Sequence, residues 1–213
     1  MKLFIIWTLL LGLFLTGYNQ HGNSNNKLSN EDSTELTREK VEVQNLIRQV
    51  LNWSYSQKDI DLLPMLTDNN DSVYIGFDLK KHKANLDKLR ETIFFSSEFI
   101  ENYNQIILTL DKKLRNKEFE EWRVGELPTF IFANDVDPCC LCQDIPFDSP
   151  NPWDSVEVKV IKLDKVQGEL TWRNSGWSEK AGYKFRVSKE NEIWKIAYME
   201  GFDFKEGTRK DGL

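Results

Sequence analysis

The side chains best equipped for chemistry are concentrated in one stretch, residues 134–154. It holds Asp135, Asp137, Asp144, Asp148 and Asp154, Gln143, Trp153, and all three cysteines of the chain, Cys139, Cys140 and Cys142. Three chemistries compete for these residues. The first is a disulfide. Cys139 and Cys142 have C-x-x-C spacing, which a tight turn can bridge, whereas Cys140 with Cys142 closes a tighter ring. Either pairing leaves one thiol over, and three buried, reduced thiols are the alternative. The second is a metal. Three thiolates and a carboxylate are a zinc donor set in principle, but C-C-x-C crowds the ligands and no second Cys or His cluster completes them. Asp135, Asp137 and Asp144 are oxygen donors of the kind calcium takes, but the D-x-D-x-D-G pattern and its turning glycine are missing. Neither a metal nor another cofactor is therefore expected. The third is proton transfer, with Asp137 or Asp144 as a base tuned by burial. Against it stands a structural role, in which both aspartates hold the loop by accepting backbone amides as Asx-type turns do. His82 lies in Lys80-Lys81-His82-Lys83 and is expected to be solvated. The candidate binding residues are thus Asp137, Cys139, Cys142, Gln143, Asp144 and Trp153, with Cys139–Cys142 as the candidate bridge.

These residues need a scaffold, and the patterning on either side supplies one. Val43, Leu46, Ile47, Val50 and Leu51 recur at helical spacing, which predicts a helix from Thr37 to about Gln57. Asp59 is placed to cap a short helix, Ile60 to Leu66. Tyr74 to Phe77 reads as extended. From Lys80 to Leu114 a helical stripe runs through Leu86, Leu89, Ile93, Ile100, Tyr103, Ile107, Leu110 and Leu114. Ser96 and Ser97 divide it, and a second helix is predicted from Glu98 to Arg115. The stripe is read as core packing rather than a dimer seam. Leu127 to Ala133 is apolar and expected to be extended. Beyond the cysteine loop, period-two alternation marks strands at Val156–Val160, Glu169–Arg173, Tyr183–Val187 and Trp194–Tyr198, joined by short turns. Helices followed by an antiparallel meander make an α+β domain over residues 37–204. Trp172 and Trp177 flank one hairpin tip and are read as core. Residues 205–213 look like a polar tail.

The start of the chain reads as an export signal. Met1-Lys2 is followed by thirteen apolar residues, Leu3 to Leu15. That is short of the about 20 needed to span a bilayer and within the roughly 7–15 of a signal-peptide core. Leu15-Thr16-Gly17 is the run that precedes the lipid-bearing cysteine of bacterial lipoproteins, but Tyr18 stands where that cysteine would be. Residues 1–17 are therefore expected to act as a signal peptide with a degenerate lipobox. Residues 18–36, polar and rich in Asn, are expected to form a flexible linker.

Composition narrows the function classes. The 213 residues suffice for one domain with appendages, and 40% hydrophobic content with seven Trp and thirteen Phe is enough for a packed core. With 28 basic against 34 acidic residues the net charge is −6, which disfavours nucleic-acid binding, since that needs a basic face.

Two local patterns resemble a known family. They are Phe94-Phe95-Ser96-Ser97-Glu98-Phe99, an aromatic-Ser element opening a helix, and Asp137-Pro138-Cys139-Cys140-Leu141-Cys142-Gln143-Asp144-Ile145-Pro146. Together with the closing hairpin around Glu190 to Ile196, they are similar to a family of small exported bacterial proteins, the domain-of-unknown-function family 3828. The resemblance covers about residues 38–202. It implies a cystatin-like, nuclear-transport-factor-two-like cone, in which helices pack on a curved antiparallel sheet around a pocket. The expectation is then an exported, periplasmic or envelope-associated protein. It would act as a non-enzymatic binding or accessory module for a protein or small ligand of the envelope, with at most a weak N-terminal membrane tether. The alternative is a small pocket enzyme with an Asp base. Cone folds host both kinds, so fold alone does not choose.

Overall fold

The computed structural model describes residues 25–57, 59–143, 153–154, 156–173 and 182–210. The expected signal peptide, Asp144, Asp148 and Trp177 lie outside the described residues. The order of elements is α1 (Asn25–Ser56), β1 (Met65–Thr67), β2 (Tyr74–Phe77), α2 (Leu79–Glu91), α3 (Ser97–Arg115), then β3 (Glu157–Leu163), β4 (Gln167–Arg173), β5 (Tyr183–Glu190) and β6 (Ile193–Met199). A 3₁₀ turn, Glu200–Phe202, and a short helix α4 (Phe204–Gly207) follow. The protein is α+β, with helices packed on a four-stranded antiparallel sheet in the order β3-β4-β5-β6.

Local chemistry explains the helix limits. The Asp78 carboxylate accepts from the amides of Lys80 and Lys81, and Lys88 and Arg90 occupy the last turn of α2, where cations suit the helix dipole. Ser96 caps α3 by accepting from the Phe99 amide, so the serine break divides the stripe where expected. Phe99, Ile100, Tyr103, Ile106, Ile107 and Leu110 form one buried face of α3. That face meets the sheet and β2, which makes the stripe core. Ile93, in the turn after α2, is the exception at 65% exposed.

The sheet buries Val158, Leu170, Trp172, Tyr183, Phe185, Val187, Trp194, Ile196 and Met199 on its inner face. Alternation sets this register along β4 and β5, whereas an irregularity in the β5–β6 ladder puts Met199, not Tyr198, beside Ile196 on the inner face. Helix α1 lies against β3 and fastens to its backbone. The Gln44 side-chain amide donates to the Val158 carbonyl at 2.7 Å, and the Arg48 guanidinium to the Val156 carbonyl at 3.3 Å. At the other side of the sheet, Ile196 exchanges backbone hydrogen bonds with Phe94 and Ser96. A nearly buried ion pair, Glu39 with Lys189, ties α1 to β5.

Four segments differ from the sequence expectations. Helix α1 begins at Asn25, inside the stretch read as a flexible linker. Its exposed part is supported by helical side-chain pairs, Arg38 with Glu35 and Glu42, and Thr37 with the Ser33 carbonyl. Ile60 to Leu66 is not a helix. Pro64 lacks an amide and biases its neighbour to extended backbone, and the chain enters β1. Leu127 to Ala133, expected to be extended, pairs as a strand only at an isolated bridge, Phe130 with Lys210, and turns from Ile131. Phe130 and Phe132 are buried, and the Ile131 and Phe132 amides donate to the carbonyls of Arg209 and Gly207. The end of the chain is therefore not a frayed tail as far as Lys210. Phe202 is core, and Lys113 donates to the Thr208 carbonyl at 2.7 Å.

Candidate functional site

The cysteine loop is organised around Asp137. Its carboxylate accepts from the Cys139 amide at 2.7 Å. Its carbonyl accepts from the amides of Cys140 and Leu141, and its own amide donates to the Cys142 carbonyl at 3.1 Å. This is the bracing role weighed for an Asp-Pro turn. Asp144, its proposed partner in that role, lies outside the described residues. Gln143 donates to the Asp135 carboxylate, so Asp135 is engaged within the loop as well. Asp154 accepts from the Asn52 side-chain amide at 2.7 Å and joins the far end of the loop to α1.

The disulfide joins Cys140 to Cys142, not Cys139 to Cys142. Leu141 explains the choice. It adopts a left-handed conformation, φ 50°, and the Cα atoms on either side of it come within 5.2 Å, inside the range a disulfide spans. Cys139 is the leftover thiol and points into the core at 5% exposed. Burial pushes its pKa far up, and the Asp137 carboxylate raises it further. It stays a thiol at neutral pH.

The loop is seated by Tyr183 on β5. Its hydroxyl donates to the Pro138 carbonyl and accepts from the Gly201 amide at 2.8 Å. A side chain at Gly201 would place its Cβ only 1.9 Å from the Pro138 oxygen, so glycine is required for the close approach. Trp153 returns to the core at 3% exposed, edge-on to Trp172 with ring centroids 5.3 Å apart. Trp172 is fully buried, as its core reading expects.

A cleft of about 600 Å³ opens beside this loop. One wall is the loop itself, with Val136, Asp137, Cys140, Cys142 and Gln143, and Trp153 at its base. Of the six candidate binding residues, Asp137, Cys139, Cys142, Gln143 and Trp153 line it. The other wall was not anticipated. It comprises the last turns of α1, from Leu51 to Gln57, and the segment Ile60 to Leu63. That segment is held in place by three bonds. Lys81 pairs with Asp61 at 2.7 Å, Asn85 donates to the Asp61 carbonyl, and the Tyr103 hydroxyl donates to the Leu62 carbonyl. In the sequence this wall is marked only by Leu62, Leu63 and Pro64 ahead of a turn, which fall within the helix predicted from Ile60 to Leu66. Among the described residues no strand residue lines the cleft, and the inner face of the sheet is filled by its own aromatic side chains.

His82 is buried, at 2% exposed, contrary to the solvated reading. Its Nε2 is 3.1 Å from the Asn104 side-chain oxygen, its ring packs edge-on to Tyr103, and burial lowers its pKa. It does not line the cleft. Among the described residues no three His, Cys, Asp or Glu side chains group as a metal site would require. A smaller depression of about 390 Å³ lies on the outer face of the sheet, between Ile161, Lys184, Arg186 and Tyr198.

Comparison with protein-family profiles, with curated proteins and with solved structures gave no match. The family resemblance therefore rests on the quoted motifs alone. Among the described residues no helix is long and apolar enough to cross a membrane.

Proposed function

We propose that this is an exported envelope protein that binds a small molecule or a short protein segment in the cleft without transforming it. The observation that carries the reading is the state of the cleft's chemical groups. The carboxylate of Asp137, the candidate base, accepts the Cys139 amide, Asp61 is paired with Lys81, and the Cys139 thiol is held protonated. Those groups shape and brace a concave surface of mixed polarity, of the size small ligands occupy. The export half of the proposal comes from the N-terminal apolar run, and a disulfide accords with an oxidising compartment. The cone relationship belongs to the same proposal and is supported by the α+β arrangement and the two motifs.

The binding half is tested by filling the cleft. Native mass spectrometry of the chain isolated from its envelope should show a bound species that a folded Leu63→Trp variant lacks. Identical spectra would remove the cleft as the binding site. Turnover of a bound molecule that Asp137→Asn abolishes would favour the Asp-base enzyme instead. The export half is tested by fractionation. Tyr18→Cys should shift the protein to a lipidated, membrane-bound form, and unchanged fractionation would refute the degenerate-lipobox reading.

A further inference from the structure

The three cysteines are neighbours in sequence but differ in bonding and exposure. Cys139 and Cys140 are each 5% exposed, Cys139 as a free thiol and Cys140 in the bridge, and Cys142 is half-buried and the most accessible of the three. All three line the cleft, and the bridge presents its more exposed half, Cys142, to it. Leu141, which joins them, is 43% exposed and adopts a left-handed conformation that is unfavourable for a γ-branched residue. The bridge spans a sequence separation of two. So short a ring removes little entropy from the unfolded chain, and the bridge adds correspondingly little to the stability of the fold. The loop is already held by Asp137 and by the seat of Pro138 on Tyr183. A structural staple is therefore a weak explanation for a covalent bond placed at the wall of an open cleft.

We propose that the Cys140–Cys142 disulfide is a thiol-exchange site, with Cys142 the attacked sulfur and a low-molecular-weight thiol entering through the cleft as the reagent. The thiolate RS⁻ attacks the Cys142 Sγ. A new sulfur–sulfur bond forms to R, the Cys140–Cys142 bond breaks, and its electron pair leaves with Cys140, which takes up a proton. Attack by Cys140 on the same sulfur restores the bridge and expels RS⁻. Attack by a second RS⁻ on the sulfur carried by R instead gives RSSR and leaves Cys140 and Cys142 both reduced. Cys139 stands outside the bridge and has no bond to exchange, so it takes no part in these steps. The mixed disulfide puts the R group in the cleft, so the thiol state of the surroundings sets whether the cleft is open. The exchange does not depend on what else the cleft binds.

The test uses the oxidised, folded chain with glutathione as the probe, then acid quenching, alkylation and peptide mass mapping. The expected result is glutathione on Cys142, or alkylation of Cys140 and Cys142, while Cys139 is alkylated only after denaturation. Leu63→Trp should slow the exchange by narrowing the route. In Cys140→Ser the Cys142 thiol should be alkylated in the native state. Modification that begins only when the chain is unfolded would overturn the proposal. So would an adduct on Cys140, or labelling of Cys139 at the same rate as Cys142. The wild-type experiment decides the matter even where a variant does not fold, and it reads mass on a named sulfur whether or not the binding proposal holds.

Discussion

The hydroxyl of Tyr183 sits between the Pro138 carbonyl and the Gly201 amide, donating to one and accepting from the other. One oxygen thereby joins the cysteine loop, the sheet and the segment after β6. Removing it in Tyr183→Phe leaves the carbonyl and the amide unpaired in a buried place. A loss of about 2 kcal/mol is expected in urea unfolding. A loss within error of zero would mean that water replaces the hydroxyl and that the loop is seated elsewhere.

Ile107 is fully buried in the face that α3 turns to the core. Ile107→Ala should cost about 2–5 kcal/mol, from lost burial and the cavity left behind. An effect below about 0.5 kcal/mol would be incompatible with that packing, since even Ile→Val in a core commonly exceeds it.

Asp137→Asn separates bracing from catalysis. Asparagine keeps an acceptor oxygen for the Cys139 amide but loses the charge, so a loss of about 1 kcal/mol is expected. A clear gain in stability would mark Asp137 as a residue retained for function at the expense of the fold.

His82 gives the fold a pH dependence whose sign is determined by burial. Its folded-state pKa lies below that of the unfolded chain. As pH falls, the unfolded chain takes up the proton first. The stabilising contribution is complete above the unfolded value of about 6.5 and is lost as pH drops from there towards the folded-state pKa. Urea midpoints measured between about pH 7 and pH 5 should fall more steeply for wild type than for His82→Gln. Parallel profiles would show that the ring accepts its proton without penalty.

Most of the architecture was legible because it depends on periodicity. The alternation in Tyr183, Phe185 and Val187 could only be a one-sided strand, and Ser96 could cap a helix in one direction only. Asp137 was legible for a similar reason, since an Asp-Pro turn acts on its own nearest amides. The disulfide partner was not. It depends on the backbone sign at Leu141, a residue with no intrinsic preference for a left-handed conformation. His82 was misread because its neighbours are lysines, yet His82, Leu86 and Leu89 share one helical face, and that spacing was the better guide. The second cleft wall was hidden because Asp61 and Leu62 are positioned by Lys81, Asn85 and Tyr103, contacts that no local pattern encodes.

The fastening of α1 along β3 has a consequence for how copies of this chain meet. An edge strand with free carbonyls is a template for another strand, and self-association through such edges is a route to aggregation. At Val156 and Val158 those carbonyls are occupied by Arg48 and Gln44, side chains that extend no further ladder. On the opposite side, the Ile196 amide and carbonyl are taken by Phe94 and Ser96. At these positions the sheet ends in polar side chains on one flank and in its own chain on the other. Copies of the chain that meet at either flank find these backbone positions already bonded.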